Sequence, residues 1–265
     1  MRSARVGVFG FALLLGVPAR SQQLPTPLAQ STALKDPQAV SIASQALAVA
    51  GGRSAILAVH DYTGSGMIVY HQDQEVQGSV TVRGLGLGGF REDATLPTGV
   101  RSFAIGSDRG TARKNEDGTI KGLNFRYQNP LMKSSVILPC WQLAAALNDP
   151  LFAVSYKGTT QNDGYTAYDI RIQFNPPGPP DPNGVIAEYF GADFFVDTTT
   201  FQVRMIQDVV IHHFAREVRY SKYQSVNGIL VPFSIDEEIN GQPTRTIQLS
   251  QIVFNTNLQD SDFGL

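Results

Sequence analysis

The sequence predicts a mainly β fold: a large antiparallel sheet that curls into a closed or half-open barrel, with two helices to cover it. Three observations carry this expectation. From Ser54 onward apolar residues recur with a period of two rather than the helical 3.6. Asn-Gly dipeptides, the strongest short-range hairpin signal, sit between the last alternating runs at Asn227-Gly228 and Asn240-Gly241. No internal repeat and no shift in composition marks a second domain, and 265 residues with 42% hydrophobic content suffice for one sizeable core.

At the N-terminus, Arg2 and Arg5 precede the apolar run Val6–Val17, and Ala19-Arg20-Ser21 supplies small residues for cleavage. That order fits a secretory signal over residues 1–21, and the run is too short to span a bilayer. A buried N-terminal helix is the weaker reading, because it leaves the order of charge, apolar run and small residues unexplained. Residues 22–36 are polar and Pro-containing and read as a flexible leader; residues 37–265 read as one domain. Cys140 is the only cysteine, which excludes an internal disulfide framework and a Cys-based metal cluster. It also leaves the signal without a lipid-attachment residue, so the expected product is a soluble periplasmic or secreted protein. No further apolar segment is long enough to cross a membrane as a helix. The net charge is −2 with acids and bases interspersed, which argues against nucleic acid as a partner.

Asp36-Pro37 is an N-cap followed by proline at the first helical position. Ala39, Ile42, Ala43, Ala46, Leu47 and Ala50 then recur at helical spacing until Gly51-Gly52. Val76, Val80 and Val82 alternate with polar residues in a strand, and Phe103 and Ile105 mark another. Asn115–Gly118 reads as a hairpin turn. Pro139–Leu147 is the second helix, stopped by Asn148-Asp149-Pro150. Tyr168, Ile170, Ile172 and Phe174 alternate with Arg171 and Gln173. Five prolines in Asn175–Gly184 mark a projecting loop. Phe201, Val203 and Met205 face one way, Gln202 and Arg204 the other. Ile229, Val231, Phe233 and Ile235 do the same, and Ile247, Leu249 and Val253 continue the pattern with Gln251 out of step. The total is about eleven strands. A single antiparallel sheet of that size curls, and its concave apolar face is what two helices can cover.

The candidate chemistry is sparse. Gly84-Leu85-Gly86-Leu87-Gly88-Gly89 matches G-x-G-x-x-G, but no helical period follows, so a bend in the sheet outweighs a phosphate loop. His212-His213 would point to opposite faces of a strand and cannot share a metal, and His60 and His71 lack metal-ligand spacing. Gly64-Ser65-Gly66 is too short for a nucleophile elbow and reads as a turn. Asp236-Glu237-Glu238 reads as a solvated strand end rather than an acid–base pair. The expectation is therefore a non-enzymatic protein without cofactor or metal. The aromatic residues, 15 Phe and nine Tyr, fit a dry core and a lipid pocket equally well.

Tyr220-x-x-Tyr223-x-x-Val226-Asn227-Gly228-x-x-Val231-Pro232 resembles a segment of the bacterial outer-membrane lipoprotein-sorting proteins, the LolA-like superfamily. The ending Ile252-Val253-Phe254-Asn255 with Asp260 and Phe263 resembles their last strand and tail. Gly78-Ser79-Val80-Thr81-Val82-Arg83, Phe90-Arg91 and Asp108-Arg109-Gly110 resemble their early strands and hairpin. The resemblance covers Pro37–Leu265. It implies an unclosed antiparallel β-barrel with a helical lid and an apolar cavity for acyl chains. The implied role is a periplasmic lipid or lipoprotein carrier, the alternative an envelope sensor that docks a protein partner. The expected cavity lining is Phe201, Val203, Met205, Ile229, Val231, Phe233 and Ile235, with Trp141 or the first helix as lid. At about 0.8 kcal/mol per buried methylene, a roughly sixteen-carbon chain gains on the order of 10 kcal/mol before ordering costs.

Overall fold

The structure, a computed structural model, describes residues 34–71, 74–106, 110–123, 137–162, 164–175, 189–210 and 214–265. The stretch read as a secretory signal, most of the stretch read as a leader, Asp108-Arg109, the Pro-rich stretch beyond Asn175 and His212-His213 lie outside the described residues. Residues from Thr32 onward cluster as one compact unit.

Among the described residues thirteen strands form one antiparallel sheet in the order β6-β5-β4-β3-β2-β1-β13-β12-β11-β10-β9-β8-β7. The first meander comprises β1 (Asp61–Tyr70), β2 (Val76–Leu85), β3 (Gly89–Leu96), β4 (Gly99–Gly106), β5 (Gly110–Lys114) and β6 (Ile120–Leu123). The second comprises β7 (Phe152–Asn162), β8 (Tyr165–Phe174), β9 (Gly191–Asp197), β10 (Val203–Val210), β11 (Phe214–Val226), β12 (Ile229–Ile239) and β13 (Gln242–Phe254). β13 returns to pair with β1, Tyr62 opposite Phe254 and Tyr70 opposite Arg245. β6 and β7 are the edges and do not pair, so the barrel is unclosed as expected. The strand count exceeds the sequence reading. β9, for one, is buried on both faces and shows no alternation to count.

Helix α1 (Pro37–Val49) starts where predicted: the Asp36 carboxylate accepts from the N–H groups of Gln38 and Ala39 at 2.7 and 3.1 Å. Its buried stripe is Ala39, Ile42, Ala43, Ala46 and Leu47. Helix α2 (Arg53–Leu57) was not foreseen, since five residues are too few to show a period. Helix α3 (Pro139–Asn148) buries Pro139 to Ala144 continuously and Ala146. Lys35 ties the helices together. Its ammonium donates to the carbonyls of Leu147 and Asp149 at the end of α3 (3.1 and 3.2 Å), one residue before the α1 cap. The Ala50 carbonyl at the end of α1 accepts from Leu230 N–H at 3.0 Å, seating the helices at the β11–β12 turn.

That turn is Asn227-Gly228, with φ of 49° and 80°, the left-handed pair of a two-residue hairpin; Asn240-Gly241 repeats it with 51° and 71°. Of two other glycine readings, one needs correction and one holds. Gly64-Ser65-Gly66 is not a turn but the middle of β1. There the strand shifts register between Ser65 and Gly66, and a Cβ on Gly66 would fall 2.1 Å from the Gln248 carbonyl oxygen. The same bulge, with Ser250 as the extra residue, explains why Gln251 falls out of step. The G-x-G-x-x-G stretch is the β2–β3 hairpin, Leu85 opposite Gly89, with no helix after it.

Candidate functional site

The interior of the curled sheet has two chemically distinct ends. Along β12 the inward row is Ile229, Val231, Phe233, Ile235, all buried, and then Glu237. β11 runs the other way, Arg216 first and then Val218 and Tyr220. β13 places Arg245 before Ile247 and Leu249, and β10 places Asp208 after Ile206. The helices cover the apolar end, where β12 begins and β13 finishes. The charged residues hold the far end.

Those charges are joined across the sheet. Arg216 donates to both oxygens of Asp208, at 2.8 and 2.7 Å, and its Nη1 lies 3.6 Å from Glu237 Oε2. Arg245 donates to Glu237 at 3.1 Å and to Glu92 at 2.5 Å. Tyr70 donates to the other oxygen of Glu92 at 3.0 Å, and Arg101 lies over the Tyr70 ring at 4.4 Å while pairing with Glu116. Burial pushes the Glu237 carboxyl up, but Arg245, Arg216 and the Thr244 hydroxyl together hold it below the usual glutamate value. Reading Glu237 as part of a solvated strand end is thus wrong. Only Asp236 and Glu238, its neighbours, point to the outer face. The available signal was parity: Glu237, Arg216, Arg245 and Asp208 each continue the inward row of their strand.

At the apolar end, Trp141 of α3 is the central side chain. It is 5% exposed, and its indole N–H donates to the Ile56 carbonyl of α2 at 3.2 Å. On one side lies a cavity of about 10 Å³, room for roughly one water, bounded by Trp141, Cys140, Ile56 and Ile229 among others. On the other side a groove of about 210 Å³ opens to solvent between α2, α3 and the β2–β3 turn, lined by Leu57, Val59, His60, Leu87, Trp141 and Ala145. Val59 and Trp141 border both. Behind Trp141 lies Tyr62 of β1, fully buried, with ring centroids 5.4 Å apart. Burial raises the Cys140 thiol to about 12, so it stays a neutral, apolar wall group.

The predicted lining divides. Val203, Ile229, Val231, Phe233 and Ile235 all join the main core with Trp141. Phe201 is not in a strand. It occupies the β9–β10 turn at φ 54° and stacks on Tyr168 at 6.0 Å, packed against the rim of the core. Met205 is on the opposite face from Val203, against Ala167 and Phe195. The cause is a register shift: Val203 pairs with Val196 but Met205 with Phe195, so the intervening Arg204 reverses the alternation. Ile206, opposite Phe194, takes the inward place. Among the described residues no three His, Cys, Asp or Glu side chains gather to hold a metal, and no helix is long and apolar enough to cross a membrane.

No protein-family model matches the chain, and comparison with curated proteins finds no match. Solved structures do match. A domain described as an outer membrane lipoprotein-sorting protein, from Vibrio parahaemolyticus, is 10% identical with a TM-score of 0.51, covering 85% of this chain and 95% of its own. A LolA superfamily protein from Nitrosomonas europaea is 12% identical with a TM-score of 0.54, covering 86% and 97%. The fold is LolA-like. A DUF1329 family protein from Desulfovibrio piger shares it, at 10% identity, a TM-score of 0.55 and coverage of 86% and 96%. Each of these matches spans most of this chain, 85% or 86% of it.

Proposed function

We propose that this protein is an exported carrier that holds the acyl chain of a lipid or lipoprotein in the apolar end of its barrel, without catalysing a reaction. The observation that carries the reading is the segregated interior. Apolar walls and the covering helices surround one end, while the charged residues pair with one another at the other. The names of two similar structures, a lipoprotein-sorting domain and a LolA superfamily protein, support it.

The groove beside Trp141, at about 210 Å³, is smaller than the roughly 300–1,000 Å³ of a typical ligand pocket. The conformation described is therefore closed, and loading requires α2 and α3 to separate from the sheet. The indole hydrogen bond to Ile56 runs within the lid, between α3 and α2, and does not resist this, whereas Asn255, which donates to the Ala58 carbonyl at 3.2 Å just after α2, marks the hinge end. Once open, the space between Trp141 and Ile229 is continuous with the row Val231, Phe233 and Ile235. Native mass spectrometry of the gently purified protein, with uptake of a fluorescent fatty acid, tests the proposal. A bound acyl species and saturable uptake are expected; absence of both sinks it.

A further inference from the structure

One polar atom of the apolar end is unspent. Tyr62 is 0% exposed, yet among the described residues its hydroxyl has no hydrogen-bond partner. Leaving an O–H buried without an acceptor costs free energy, and phenylalanine would fill the same space without that cost. The position is also built around the tyrosine. Its ring rests on Trp141, and the opposing residue is Gly84, where a Cβ would fall 2.3 Å from the ring and 2.8 Å from the hydroxyl oxygen. Val59, Gly86 and Leu87, which flank Tyr62 and Gly84 in sequence, line the open groove with Trp141. Displacement of Trp141 therefore uncovers Tyr62.

We propose that the Tyr62 hydroxyl is the specificity-determining donor for a neutral carbonyl acceptor, the ester or amide carbonyl of an acylated ligand. This rests on the carrier reading above. Two features set the chemistry. Burial, then the neighbouring Tyr220 and Glu92, push the phenol far above its ordinary value, so it is a donor and never an anion. Glu92 and Arg245 already neutralise each other, so a carboxylate brought to this buried hydroxyl would find no free cation and would bear a desolvation cost that an ester or amide does not. The acyl chain then occupies the apolar end with its carbonyl between Trp141 and the charged network. A hydrocarbon of the same length would leave the hydroxyl as unsatisfied as it is in the closed state.

Displacement of a fluorescent apolar probe by methyl palmitate, N-methylpalmitamide, palmitate and heptadecane tests this, on the wild type and on Tyr62→Phe. The wild type should take the better of the ester and amide about tenfold more tightly than heptadecane, the worth of one buried hydrogen bond. Whichever is preferred identifies the source as a lipid ester or an amide-linked acyl group. Palmitate should bind more weakly than either. Tyr62→Phe should lose the preference, bind heptadecane as the wild type does, and unfold at higher urea because an orphan donor is gone. A preserved preference in Tyr62→Phe overturns the proposal, as does unfolding at lower urea, which would mean the hydroxyl is already satisfied. Tight binding of palmitate overturns the selection for a neutral group. If no ligand displaces the probe from the wild type, the carrier reading itself falls and takes this inference with it.

Discussion

Replacing Arg245 with methionine should destabilise the protein by about 3 kcal/mol at neutral pH, and the loss should shrink as the pH falls. Arg245 is the only group that bridges Glu237 and Glu92, at 3.1 and 2.5 Å, in the described structure. Methionine keeps most of the stem and removes the charge. Glu92, 2% exposed, then retains only the Tyr70 hydroxyl, and Glu237 retains Thr244 and the longer 3.6 Å approach of Arg216. Breaking a buried ion pair from one side costs about 3–5 kcal/mol, and these surviving partners place the value at the lower end. The pH dependence follows from Glu237. In the wild type its folded value is below the unfolded one, so its contribution is present above the ordinary glutamate range and lost as pH falls through the lowered value. Without Arg245, burial prevails and the folded value rises above the unfolded one. The folded carboxylate is then penalised at neutral pH, and the penalty is relieved as pH falls toward the raised value. Urea unfolding followed by the fluorescence of Trp141, the only tryptophan, measures both effects at about pH 7 and about pH 5. A loss under about 1 kcal/mol, or one identical at both pH values, would refute the reasoning.

Two further substitutions probe other parts of the structure. Gly84→Ala puts a methyl 2.3 Å from the Tyr62 ring, which Trp141 prevents from retreating, and should cost about 1–3 kcal/mol in urea unfolding. Little of that loss should remain when Tyr62→Ala is combined with it, a coupling that a double-mutant cycle detects. Asp169→Asn should stabilise. Burial and then the nearby Asp193 raise the Asp169 carboxyl to about 6, and one of its oxygens has no partner. A raised carboxyl penalises the folded state increasingly as pH climbs from the ordinary aspartate value to about 6, and fully above it. The variant should therefore gain about 1 kcal/mol at pH 7, a value discounted for partial exposure, and nothing near pH 4. Equal stability at pH 7 would show that Asp169 is not strained.

Much of the frame was legible because it rests on local chemistry. Asp36-Pro37 caps α1, Asn227-Gly228 and Asn240-Gly241 supply the left-handed pairs their turns require, and the row Ile229 to Ile235 keeps one face for one core. Legibility ended where a residue's direction depends on a distant strand. Period two predicts Met205 beside Val203 only if the strand has no bulge, and the bulge at Arg204 is set by pairing with β9. Gly64-Ser65-Gly66 has turn composition, but its small residues serve close approach to β13 and β2.

By itself the sequence determined the class of fold, the two Asn-Gly hairpins and the inward row Ile229 to Ile235, because each follows from neighbours within a few residues. The tertiary structure alone decided what those rows enclose. Arg245 and Glu92 are 153 positions apart, and Tyr62 meets Trp141 only because β1 closes against β13 and α3 folds over that end. Ion pairing across a barrel and an unsatisfied hydroxyl behind a lid are properties of strand register and curl. No local propensity encodes them.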